Sequence, residues 1–211
     1  MLSVAAPLKF DTATVSFLLR WFHVLFGIVW IGHLYFFNFV NGPFAKTMDA
    51  DTKKKVVPEL MPRALWWFRW GAMGTFLTGL AMLAIFMKTD PTYFKDAAGQ
   101  LQGRAGWSMM GMTLGTIMWF NVWFVIWPRQ RKLIGWLKAG EKNPDADKMT
   151  RTAFLASRWN TYLSGPMLFV MLASVNFAGY FGTVAIVMSL ALGFGAIHGF
   201  IGRSGKVSTE V

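Results

Sequence analysis

The chain has 211 residues, 55% of them hydrophobic and 15% charged, with a mean hydropathy of +0.41; that composition excludes an ordinary soluble domain and points to an integral membrane chain. With no cysteine, it has no disulfide, no thiolate-ligated iron–sulfur cluster and no covalently attached c-type haem, which needs a C-x-x-C-H sequence. The net charge of +11 could draw nucleic acid, but the basic residues gather between hydrophobic runs and read instead as a topology signal.

Hydrophobic runs at about 16–40, 66–87, 106–127, 155–177 and 181–202 each approach the roughly 20 residues that a bilayer crossing needs. They predict one all-α membrane domain over 1–211, a bundle of five transmembrane helices. Lys9, Arg20, Lys88, Lys95 and Arg104 then share one side, and the other sixteen Lys and Arg fall on the opposite side. Positive residues mark the cytoplasmic face, so the N-terminus is expected outside and the C-terminus in the cytoplasm. The first run lacks a basic n-region and a small-residue cleavage site, so it is expected to stay in the mature protein.

Residues 1–14 read as a short outer segment. Asn41-Gly42-Pro43 is expected to end the first helix, because glycine can cap and proline cannot continue the ladder. The 41–65 stretch, with Lys53, Lys54, Lys55, Pro58 and Pro62, reads as a cytoplasmic loop against anionic headgroups. The second helix opens on Trp66, Trp67, Phe68, Arg69 and Trp70, an interfacial aromatic belt from which Arg69 snorkels or meets an anionic cofactor group. The third carries Gly111 and Gly115, a spacing for close helix contact, and ends on Trp119, Trp123, Trp127 and Pro128. Leu133 to Leu137 is expected to lie along the surface. In the fourth, Pro166 predicts a kink about one turn from Arg158. The fifth returns with Gly193, Gly195, Gly199 and Gly202 around His198, a face open to another helix or to a flat porphyrin.

All three histidines, His23, His33 and His198, fall within these runs. An intramembrane imidazole is costly unless it faces protein, water, a metal or a cofactor. His23 and His33 are ten residues apart, roughly 15 Å along one helix axis, so they cannot ligate one metal. His33 and His198 fall at similar depth on helices running the same way, which makes them the candidate axial pair for the iron of a b-type haem. Arg69 and Arg158 lie at the level of its propionates. His23, nearer the outer face, would need a methionine partner such as Met109, Met110 or Met112, or an open coordination position; interfacial hydrogen bonding alone would also account for it. All ten acidic residues are read into loops or tails, leaving no paired-carboxylate site. Asn121 and Asn160 are read as interhelical hydrogen-bond formers.

The segments RWFHVLFGIVWIGHLYFF (20–37), WWFRWGAMGTFLTGL (66–80) and RWNTYLSGPMLFVMLAS (158–174) together resemble the N-terminal membrane domain of the bacterial membrane-bound urate hydroxylase (urate oxidase) family. The most recognisable part is Trp21, His23, Trp30, Ile31 and Gly32. The resemblance implies the bacterial cytoplasmic membrane, and electrons from urate oxidation passed to a cytochrome c. It also implies histidines where this chain has Trp66, Trp159 and Val175, and an acidic residue where it has Gly71. Of the family's histidines only His23 carries over, so any haem ligation is expected to be rearranged. The leading expectation is a b-type-cytochrome-like subunit of a larger complex, relaying electrons between quinone and a separate periplasmic cytochrome c. A haem-free structural subunit follows, and a urate-hydroxylase-like enzyme ranks last.

Overall fold

The computed structural model describes residues 11–207, and within them the chain forms five helical rods. They are α1 Thr12–Thr47, α2 Ala50–Thr89, α3 Gly103–Ala139, α4 Ala146–Asn176 and α5 Thr183–Ser204. Among the described residues there is no strand, only an isolated bridge between Lys95 and Leu101 in the loop joining α2 to α3. Lys9, assigned above to the outer side, lies outside the described residues.

Four rods, α1, α2, α3 and α5, are long and apolar enough to cross a membrane. Their outer faces expose Phe17, Leu77, Phe124 and Val184, and so many large apolar groups are stable only against lipid. The chain is therefore an all-α membrane protein. α4 is more polar because it is the inner helix, packing on α1, α3 and α5 and burying Asn160, Thr161 and Ser164 completely. It runs antiparallel beside α3 for the length of the bundle. Trp107 Nε1 at the start of α3 donates to the Phe177 carbonyl just past the end of α4 (3.0 Å). Midway, Asn121 Nδ2 donates to Asn160 Oδ1 (2.8 Å), the interhelical role expected of both asparagines. The main core joins Trp30 and Leu34 of α1, Leu65 and Phe68 of α2, Met118 and Val122 of α3, and Met167 of α4.

Local chemistry sets the helix ends. Asp11 accepts from the Thr14 N–H (2.9 Å) to start α1, and Asp49 accepts from Asp51 and Thr52 N–H (2.9 Å each) to start α2. Gly140, at φ +69°, turns the chain out of α3 in the left-handed region that glycine enters freely.

Several expected boundaries are corrected. Gly42-Pro43 does not end α1, because a π-helical turn, Phe36–Asn41, precedes it and the Gly42 N–H bonds the Phe37 carbonyl five residues back. Pro43 then occupies the first turn of a resumed α segment, where no donor is needed. The same device recurs in α3: the π turn Asn121–Ile126 leads into Pro128, and Leu133 to Leu137 continues the rod rather than lying apart on the surface. The expected 41–65 loop shrinks to a joint at Met48 and Asp49, since Pro58 and Pro62 sit inside α2 without ending it. Asp51, Glu59 and Asp147 are accordingly helical, in the polar ends of α2 and α4.

Candidate functional site

α4 and α5 are locked together where two glycines meet. A Cβ on Gly165 would strike the Gly193 carbonyl, and one on Gly193 would strike Pro166. Only this member of the α5 glycine series is used for close packing, because a Cβ at Gly195, Gly199 or Gly202 meets nothing within 4 Å. Beyond the lock the two helices enclose a groove of about 620 Å³, open to the outside. From α4 it is lined by Leu155, Arg158, Trp159 and Tyr162, positions that recur at three and four residues on one face. From α5 come Phe194, Gly195 and His198.

Three polar groups give this apolar groove its chemistry. Tyr162 Oη lies 3.1 Å from His198 Nδ1, and the two rings stack at 25°. The Arg158 guanidinium sits 5.1 Å over the Phe154 ring, and its Nη1 is buried without a hydrogen-bond partner among the described residues. A buried donor left unpaired costs its desolvation, so it marks a place where an anionic group is favoured. Trp159, at the position where the family resemblance expects a histidine, faces the same groove. No cluster of three or more His, Asp or Glu side chains able to hold a metal ion occurs among the described residues.

The groove brings together His198 and Arg158, two of the five residues singled out from the sequence. The other three lie elsewhere. His33 donates Nδ1–H to the Val29 carbonyl (2.7 Å) and neighbours Phe37, which packs edge-on against Phe68 of α2. The α5 contact of α1 is made instead by Phe39, whose ring is 6.2 Å from that of Phe200. Counting back from that pair at 1.5 Å per residue leaves His33 and His198 about 6 Å apart along the axis. Neither the hydrogen bond nor the ring contact of His33 reaches α5, so neither joins it to His198. The helical period turns residue 33 with residue 37 toward α2, a direction that depth does not encode.

Arg69 folds over Trp127, 3.9 Å from its ring centroid, rather than extending outward. His23 meets Thr78 Oγ1 at 3.2 Å, and that hydroxyl gives its own proton to the Gly74 carbonyl (2.7 Å), so His23 Nδ1 is the donor. At Gly71, where the resemblance expects an acid, a Cβ would lie 2.9 Å from the Trp30 backbone nitrogen. No carboxylate fits there without the helices separating.

Two polar ties to α4 had no clear sequence signal. Asn38 Nδ2 donates to Ser157 Oγ (2.9 Å), and Tyr35 Oη bonds Ser164 Oγ (2.9 Å). Asn38 and Asn121 both belong to π turns, so each π turn presents an asparagine to the inner helix. A polar side chain inside an apolar run was the available hint.

No curated protein and no solved structure matches the chain. A family described as urate oxidase N-terminal matches residues 96–205, which spans α3, α4 and α5 and so includes the whole groove. The 158–174 segment lies inside that match and the 20–37 and 66–80 segments outside it. With more than half of its length matched, the chain belongs to the urate oxidase N-terminal family.

Proposed function

We propose that this chain is a haem-carrying subunit of a bacterial cytoplasmic-membrane complex, relaying electrons between quinone and a separate periplasmic cytochrome c. The observation that carries the reading is the meeting, in one groove, of an imidazole held through Nδ1 and a buried guanidinium nitrogen with no partner among the described residues. The residues fit a b-type haem. In the tautomer whose Nδ1–H donates to the Tyr162 hydroxyl, His198 Nε2 keeps its lone pair for iron. Arg158 offers its unpaired nitrogen to a propionate, Trp159 and Phe194 offer apolar surface to the ring, and Gly195 leaves room beside it. Bound haem supplies reversible one-electron chemistry at its iron.

His33 and His23 also donate through Nδ1 and keep Nε2; ten residues apart on α1, each would serve a separate haem rather than share one. Arg69, stacked on Trp127 of α3 and outside the groove lining, stands in reserve as an anion partner. In this reading all five rods cross the bilayer, α4 included, since it matches α3 end to end. The end bearing Lys53, Lys132 and Lys148 faces the cytoplasm.

A second reading, a haem-free structural subunit, draws on the outward exposure of His198 and the broad apolar faces of α1 and α5. Urate oxidation by this chain alone ranks last, because Trp66, Trp159 and Val175 supply no proton-transfer group and Gly71 has no room for an acid. The test is a dithionite-reduced minus oxidised spectrum of the purified chain, with the haem type assigned after extraction. A b-type band stoichiometric with the chain is expected. Its absence, in a preparation that folds and is isolated from haem-sufficient cells, would move the assignment to the structural subunit.

A further inference from the structure

A second cavity, of about 360 Å³, opens between α3 and α4 at the basic end of the bundle. Pro128, Arg129 and Lys132 line it from α3, Asp145 from the position just before α4, and Lys148, Met149 and Thr152 from α4. Three cations thus face one anion. Both ion pairs among the described residues lie elsewhere, Arg63 with Glu59 and Arg104 with Asp90. Asp145 therefore neutralises none of the three by direct contact, and the ammonium groups of Lys132 and Lys148 have no partner among the described residues. Arg129 gives Nη1 to the Val125 carbonyl (2.9 Å), which anchors the guanidinium and leaves its other nitrogens available.

Unpaired cations converging on a concave site between two membrane helices fit a phosphate group. Two features favour a phosphate carried on a lipid. The cavity begins at Pro128, just past the Trp119, Trp123 and Trp127 series that marks the bilayer interface. Four and eight residues before Pro128 on α3, toward the bilayer, Phe124 and Phe120 stack with centroids 4.9 Å apart and are more than half exposed, at 56% and 51%. They offer an acyl chain a path that a free phosphate would not use. We infer that this cavity holds the phosphodiester headgroup of an anionic phospholipid, with Arg129, Lys132 and Lys148 around the phosphate and the acyl chain along Phe124 and Phe120.

The inference is independent of haem. Its test is native mass spectrometry of the delipidated, detergent-solubilised protein, titrated separately with phosphatidylglycerol, phosphatidylcholine and inorganic phosphate. Tight binding of one phosphatidylglycerol is expected, with phosphatidylcholine weaker by tenfold or more. The Lys132→Gln/Lys148→Gln variant should lose most of that preference, since each lysine contributes about fivefold near an anionic headgroup. Lys53→Gln/Lys54→Gln removes the same charge from the start of α2 and should leave the preference intact. Equal losses in the two variants would mean diffuse surface charge and overturn the site. Binding of inorganic phosphate as tight as phosphatidylglycerol would overturn the lipid assignment. Should the cavity variant fail to fold, wild-type protein decides alone: a preference unchanged between low and high salt would contradict a site built on cations.

Discussion

Tyr162 on α4 and His198 on α5 are joined across the seam between their helices, Oη to Nδ1 at 3.1 Å. This contact fixes which imidazole nitrogen is engaged by protein and which is left for a ligand. Removing the hydroxyl with Tyr162→Phe keeps the stacked ring but frees the imidazole. A partner of this kind is worth about 10- to 100-fold in affinity at metal sites. Haem titration of the apo-protein should therefore show at least tenfold weaker binding in Tyr162→Phe, with the fold retained. Unchanged affinity would remove Tyr162 from the site.

Arg158 gives a separate handle on the same groove. Its Nη1 is buried and unpartnered among the described residues, so in Arg158→Leu the groove should keep its shape and the bundle should lose little stability. Haem affinity should fall about tenfold, as expected for loss of a charge-assisted contact to a carboxylate. Arg158→Lys, which keeps the charge but not the planar fork, should recover part of it.

The glycine lock predicts a sharp contrast within one helix. Gly193→Val puts a side chain into Pro166 and the α4 backbone and should cost about 1–3 kcal/mol by overpacking. Gly199→Ala meets open space and should stay within about 0.5 kcal/mol of wild type. Thermal unfolding in detergent reads both. Equal effects would mean that α4 and α5 do not touch at Gly193.

Asn160 is fully buried, accepting from Asn121 and donating Nδ2 to the Met118 carbonyl (2.9 Å). Asn160→Ala leaves Asn121 without its acceptor and should destabilise the bundle by about 1–2 kcal/mol, the upper range for hydrogen bonds between membrane helices. Asn121→Ala/Asn160→Ala should cost less than the sum of the single changes, because the pair is coupled.

The α2–α3 loop should respond to acid. The Thr92 hydroxyl, and then Arg104, whose Nη2 lies 2.6 Å from the carboxylate, hold Asp90 below its ordinary value. A carboxyl lowered in the folded state contributes stability that is complete above its unfolded value of about 3.9 and is lost as pH falls through the lower folded value. Amide exchange in 90–102 should accelerate below about pH 4, and Asp90→Asn should abolish that dependence. Acceleration already complete at pH 6 would contradict it.

Hydrophobic runs carried most of the architecture because bilayer length and lipid exposure act on every residue of a rod. The same patterning hid the polar extensions of α1, α2 and α3. Pro43 and Pro128 read as stops, and each follows a π turn in a rod that continues past it. Within the candidate site, His198 and Arg158 were legible as polar residues in apolar runs. Tyr162 was passed over, since a tyrosine near an interface is ordinary. The supposed partnership of His33 with His198 came from depth alone. Azimuth depends on which neighbour each face meets, and Phe37 against Phe68 turns His33 toward α2.

The most direct test of the account is haem content per chain in His198→Ala beside wild type, purified identically and compared by reduced-minus-oxidised spectra and by extraction. The account predicts that one haem per chain in the wild type is lost in the variant, while membrane insertion and thermal unfolding are preserved. A variant that retains its full haem, or a folded wild type that holds none, would contradict it.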